Sequence, residues 1–116
     1  MFVAKCSWTT GLRAGFGSRT VTGMSTTTLT GATPAPAGDW VEIYKNKLGR
    51  KLSITFQGTP ADSKGFKMRG GADIHIQSEG PQTRAVSFLL QNGETVDLEA
   101  GNNNHVITWT MTIVPS

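Results

Sequence analysis

At 116 residues, 37% hydrophobic and 16% charged, the chain has the size of one domain able to bury a single core without metals or disulfides. The formal net charge of +3 sits in the N-terminal third: residues 1–38 hold Lys5, Arg13 and Arg19 and no acid, whereas residues 39–116 hold eight basic and eight acidic side chains. That balance gives the larger part no overall preference for nucleic acid or anionic lipid, and no apolar run approaches the roughly 20 residues of a membrane-spanning helix.

Residues 1–38 are rich in Gly, Ser, Thr and Ala and end in TGATPAPAG. Pro34 and Pro36 predict an extended, polyproline-like linker, and few large apolar residues precede Trp40, so this segment reads as an N-terminal arm without its own core. MFVAKCSWTTGLRAGFG breaks up too early for a secretory h-region, although the basic, acid-free composition also suits a transit peptide. Met24 opens MSTTTLTGATPAPAGDW, which reads as an alternative start, so residues 1–23 are in question for the mature protein. Cys6 has no second cysteine in the chain to pair with and gives no sign of an oxidising compartment.

From Asp39 the text changes to short alternating runs between turn residues, the period of strands with one buried face. DWVEIYKN sets Val41 and Ile43 against Trp40, Glu42 and Tyr44. KLSITFQG sets Leu52, Ile54 and Phe56 inward, GFKMRGG sets Phe66 and Met68 inward, and ADIHIQS sets Ile74 and Ile76 against Asp73, His75 and Gln77. AVSFLLQNGETVDLEAG alternates into Asn92-Gly93 and out again, which predicts a hairpin. AGNNNH is a further turn, and HVITWTMTIV is a last strand with Ile107, Trp109, Met111 and Ile113 inside and Thr108, Thr110 and Thr112 outside. Each run is amphipathic and no helical period occurs. The prediction is therefore all-β: an antiparallel β-sandwich or jelly-roll-like barrel of about 6–8 short strands over residues 39–116, following the arm of residues 1–38.

Little in the sequence suggests catalysis. Cys6 with His75 or His105 makes a formal nucleophile pair, but Cys6 falls in the arm, without the rigid scaffold such chemistry needs. GFGSRTVTG follows no strand and opens no helix, so its glycines read as flexibility. Asp73 and His75 lack a third ligand, so no metal site is expected, and no cofactor is implied. Glu94, Asp97 and Glu99 lie on the outer face of the expected hairpin, where they discourage edge aggregation.

Three surfaces stand out as candidates for ligand or partner. Trp40 and Tyr44 on one face are a platform for stacking on sugars, which makes a carbohydrate-binding module one alternative. Lys45, Lys47, Arg50 and Lys51 of KNKLGRK, beside those rings, make a single-stranded nucleic-acid binder the second alternative. The row Thr108, Thr110, Thr112 can order water or pair with another chain. A water-ordering face needs the pattern on adjacent strands, and the rows expected there, Ser87, Leu89, Gln91 and Thr95, Asp97, Glu99, are mixed. Threonine also favours any half-buried strand.

GDWVEIYKN, the Gly-rich MRGGADIHIQ and VSFLLQNGETVDLEAG leading into the last strand give residues 39–116 a pattern that resembles small all-β virion components of tailed bacteriophages. The resemblance implies a non-enzymatic subunit that self-associates as a homo-oligomer or docks on a capsid or tail, as a decoration, fibre or connector piece, with an arm reaching a neighbour. It implies a virion location, the alternative being cytoplasmic, and it transfers no functional residue.

Overall fold

The computed structural model describes residues 26–116, and over that span the chain is all β. The eight strands are β1 (Thr27–Ala35), β2 (Val41–Lys45), β3 (Leu52–Pro60), β4 (Phe66–Gly70), β5 (Asp73–Ser78), β6 (Arg84–Leu90), β7 (Thr95–Ala100) and β8 (His105–Pro115). They form two four-stranded sheets, the first in the order β1-β8-β3-β6 and the second β2-β7-β4-β5. Every ladder is antiparallel. The pairing is nested: first strand with last, second with seventh, third with sixth, fourth with fifth, as if one long hairpin bent at the Gly71-Ala72 turn had been rolled up. The fold is an antiparallel β-sandwich.

Away from the two register shifts of the second sheet, the alternating runs turn inward the side chains that their period assigns there. Leu52, Ile54 and Phe56 of β3, with Ile107, Met111 and Ile113 of the neighbouring β8, face Phe66 and Met68 of β4 and Val96 and Leu98 of β7 in one continuous core. Trp109, 8% exposed, belongs to it.

Three expectations are corrected. The stretch read as linker is β1, paired with β8 over nine residues, from Thr27–Ile113 to Ala35–His105. The domain therefore includes residues 27–35, and the boundary drawn at residue 39 falls after its first strand. Residues 1–25, with Cys6, the start at Met24 and the remainder of the arm, lie outside the described residues. The physical reason β1 reads as linker is that, after Leu29, its inward positions are small: Gly31 lies under the Trp109 ring, and a Cβ there would stand 2.7 Å from Trp109 Cζ2. Trp109 supplies the bulk that β1 lacks, and its indole N–H donates to Thr33 Oγ1 (2.9 Å). Pro34 is tolerated because β1 is an edge strand.

Secondly, the Asn92-Gly93 turn does not close a hairpin. Gly93 has the left-handed φ of 89° that the turn needs, but β6 lies in the first sheet and β7 in the second, so the turn carries the chain across the sandwich. The β2–β3 loop crosses beside it, and the fully buried Asn46 joins the two. Asn46 N–H donates to Glu94 C=O (2.9 Å), and Gly93 N–H donates to Asn46 C=O (2.8 Å). The Asn46 side-chain amide donates to Arg50 C=O (2.8 Å) and Leu90 C=O (3.1 Å), while its Oδ1 accepts from Leu48 N–H (3.0 Å).

Thirdly, the second sheet carries two register shifts that reverse side-chain direction. Between β4 and β5 the pairing moves from Met68–Ile76 to Arg69–Ile74, so Ile74 turns outward and His75 stacks on Phe88, with ring centroids 4.3 Å apart. Asp73, His75 and Gln77 therefore do not share a face. Between β2 and β7 the pairing moves from Glu42–Asp97 to Tyr44–Val96. Val96 is core, so Tyr44 packs inward while Trp40 stays outside.

Candidate functional site

The two outer faces have opposite chemistry. On the second sheet, Asp97 projects from β7 yet is only 4% exposed, because Arg69 and Trp40 lie over it. Arg69 Nη2 sits 2.8 Å and Nε 2.9 Å from Asp97 Oδ2, which also accepts from the Thr95 hydroxyl (3.3 Å). The guanidinium stacks on Trp40, 4.4 Å from the ring centroid. Lys67 pairs across from Glu99 on the same face. β7 is a central strand, so Asp97 and Glu99 guard no edge; Asp97 anchors Arg69 instead.

This geometry separates the pair proposed for sugar stacking. Trp40 is half-buried under Arg69 on the outer face. Tyr44, past the bulge, lines an apolar cleft of about 350 Å³ with Thr27, Leu29, Leu48 and Ile113. Burial there raises the Tyr44 hydroxyl above its ordinary pKa. The two rings form no common platform. Lys45, Lys47, Arg50 and Lys51 are all exposed around the β2–β3 loop at one end of the sandwich. Among the described residues no three of His, Cys, Asp and Glu gather as a metal would require. His105 is held by Gly65, whose carbonyl lies 3.0 Å from Nε2.

Among the described residues the outer face of the first sheet carries no charge. Thr108, Thr110 and Thr112 run down β8, and its neighbours are β1 and β3, not the strands expected from the sequence. The registers align cross-strand rows. Thr28, Thr112, Thr55 and Ser87 form one; Thr30, Thr110, Gln57 and Ala85 form the next. Ala32, Thr108 and Thr59 form the third, extended by Thr83, whose hydroxyl lies 2.7 Å from that of Thr59. Thr55 and Ser87 hydroxyls lie 3.2 Å apart. The ends of the face are apolar, with Leu89 51%, Val106 39% and Val114 38% exposed. Sequence reasoning missed this array because it required knowing which strands flank β8.

The sheet edges differ as well. Among the described residues the first sheet ends in β1 and β6, and the second in β2 and β5. β2 and β5 each contain a bulge, with Glu42 and Lys45 on one and Asp73 on the other. β1 carries no charge over nine residues, and β6 carries Arg84 alone; both ladders are uninterrupted.

No family model matches the chain, and no curated protein matches it. A solved structure described as Bacillus endospore appendages, a family of disulfide-linked pili, is similar with a TM-score of 0.54 and 12% identity, covering 77% of this chain and 84% of that one. At that identity the likeness shows a shared β-rich fold. Among the described residues no helix is long and apolar enough to cross a membrane.

Proposed function

We propose that this chain is a non-enzymatic structural subunit that self-associates through the edges of its first sheet, building an extracellular appendage or a virion component. The observation that carries this reading is the contrast between edges. Unpaired N–H and C=O groups on an edge strand are a template for another chain, and proteins that stay monomeric blunt them with bulges and charge. Each edge of the second sheet carries both a bulge and charge, whereas the edges of the first sheet have no bulge and only Pro34 on β1 and Arg84 at the start of β6 to blunt them. Strands alternate in direction across β1-β8-β3-β6, so β1 of a second copy laid beside β6 continues the antiparallel alternation. Such a contact joins two different surfaces, and head-to-tail contacts of that kind generate rings or open filaments.

Two further observations support the reading. The nested strand order is similar to that of a jelly roll, a double-sheet architecture used in viral capsids. The similar solved structure is one of pili.

The test is the mass of the full chain in solution by light scattering, beside Ala85→Lys/Ser87→Lys, which places lysines on β6, and a version starting at Met24. The expected result is a defined oligomer or filament that the lysine pair reduces to monomer; weakening on truncation would give the arm a share of the contact. A monomer at every concentration would refute the reading.

A further inference from the structure

The hydroxyl array on the first sheet is periodic in two directions. Strand geometry spaces its rows by two residues, about 6.8 Å, and its columns by one strand, about 4.8 Å. The β1–β8, β8–β3 and β3–β6 ladders run without a bulge, so the repeat is unbroken, unlike that of the second sheet. Gln57 and Ala85 interrupt one row on its β3–β6 side, and Ala32 interrupts another at its β1 end.

Each threonine presents a hydroxyl, which donates one hydrogen bond and accepts two, beside a methyl group. Its β-branch stiffens χ1, so the backbone fixes where the hydroxyl sits and little freedom is lost when water orders on it. The composition argues against the other occupants. Protein interfaces concentrate binding energy in Trp, Tyr and Arg and under-use Ser and Thr, and nucleic acid needs cations to meet its phosphates. This face offers neither aromatic rings nor charge, although the chain holds 19 charged side chains. A neutral, regularly spaced surface of hydroxyl and methyl groups complements a neutral, regularly spaced lattice.

We propose that the outer face of the first sheet binds ice, with the ordered water of a crystal surface as its ligand. Adsorbed copies pin the crystal, and ice must bulge between them, which opposes growth. The array is complete within one copy, so the inference does not rest on self-assembly.

The experiment measures thermal hysteresis and ice recrystallisation for the full chain, for Thr110→Lys at the centre of the face, for Thr30→Lys in the same row, and for Gln77→Lys on the opposite sheet. Circular dichroism confirms the fold of each, and Thr30→Lys carries the test if Thr110→Lys fails to fold. The expected result is faceted, growth-arrested crystals with the natural chain and Gln77→Lys, and loss of the effect in the threonine variants. Absence of activity in the natural chain, or its retention in Thr110→Lys and Thr30→Lys, overturns the inference. So does a fall in oligomer mass caused by Thr110→Lys, which lies on the central strand β8 away from both edges and would show that another copy covers the face.

Discussion

Asn46 is the side chain on which the crossing end of the sandwich depends, and replacing it tests the topology directly. Asn46→Ala removes two donated bonds, to Arg50 and Leu90 C=O, and one accepted bond, from Leu48 N–H. At a net of about 1 kcal/mol for each bond, the loss is about 2–4 kcal/mol. That is a large part of the about 5–15 kcal/mol that holds a domain together, and it corresponds to a fall in Tm of about 10–25 °C at this size. Asn46→Asp separates hydrogen bonding from size. Its second oxygen would face the same two carbonyls, with a buried charge added, so it is expected to be less stable than the alanine variant at pH 7. Urea unfolding followed by tryptophan fluorescence reads both. A loss below about 1 kcal/mol for Asn46→Ala, or an aspartate variant as stable as the alanine one, would refute the role given to Asn46.

Other predictions follow from single contacts. Gly31→Ala drives a methyl into the Trp109 ring and is expected to cost about 1–3 kcal/mol by overpacking, with a shifted Trp109 emission; a neutral effect would mean that β1 is not seated there. Arg69→Ala leaves Asp97 buried without its partner, at about 2–3 kcal/mol, and Arg69→Ala/Asp97→Ala should recover part of that loss in a double-mutant cycle; strict additivity would contradict the pairing. The chain has one tyrosine, so ultraviolet titration reports Tyr44 alone. Its pKa should lie higher in the folded chain than in urea, because burial disfavours the phenolate. The associated stability is fully present below the unfolded value, near 10, and is lost as pH rises through the folded one; an equal or lower folded pKa would place Tyr44 outside the cleft.

Seven of the eight strands and most of the core were legible, because each inward row repeats at period two and carries large apolar residues. β1 was not, since Gly31, Thr33 and Ala35 show no apolar row and their packing partner lies about 75 residues away in Trp109. The Asn92-Gly93 turn was legible as a turn but not as a crossing, because turn chemistry is local and sheet membership is not. The bulges hid the true directions of His75 and Tyr44: a bulge needs one extra residue, and VEIYK and ADIHIQS still alternate on paper. The threonine row on β8 was visible from the sequence, whereas the array was not, because its other columns come from β1, β3 and β6.

The most direct measurement on the assembly reading is amide hydrogen exchange, strand by strand, at low and high protein concentration. Self-association through the first sheet predicts that amides of β1 and β6 gain protection as concentration rises, while those of β2 and β5 stay as they were. Protection gained on β2 and β5 instead, or on no edge strand, would contradict it.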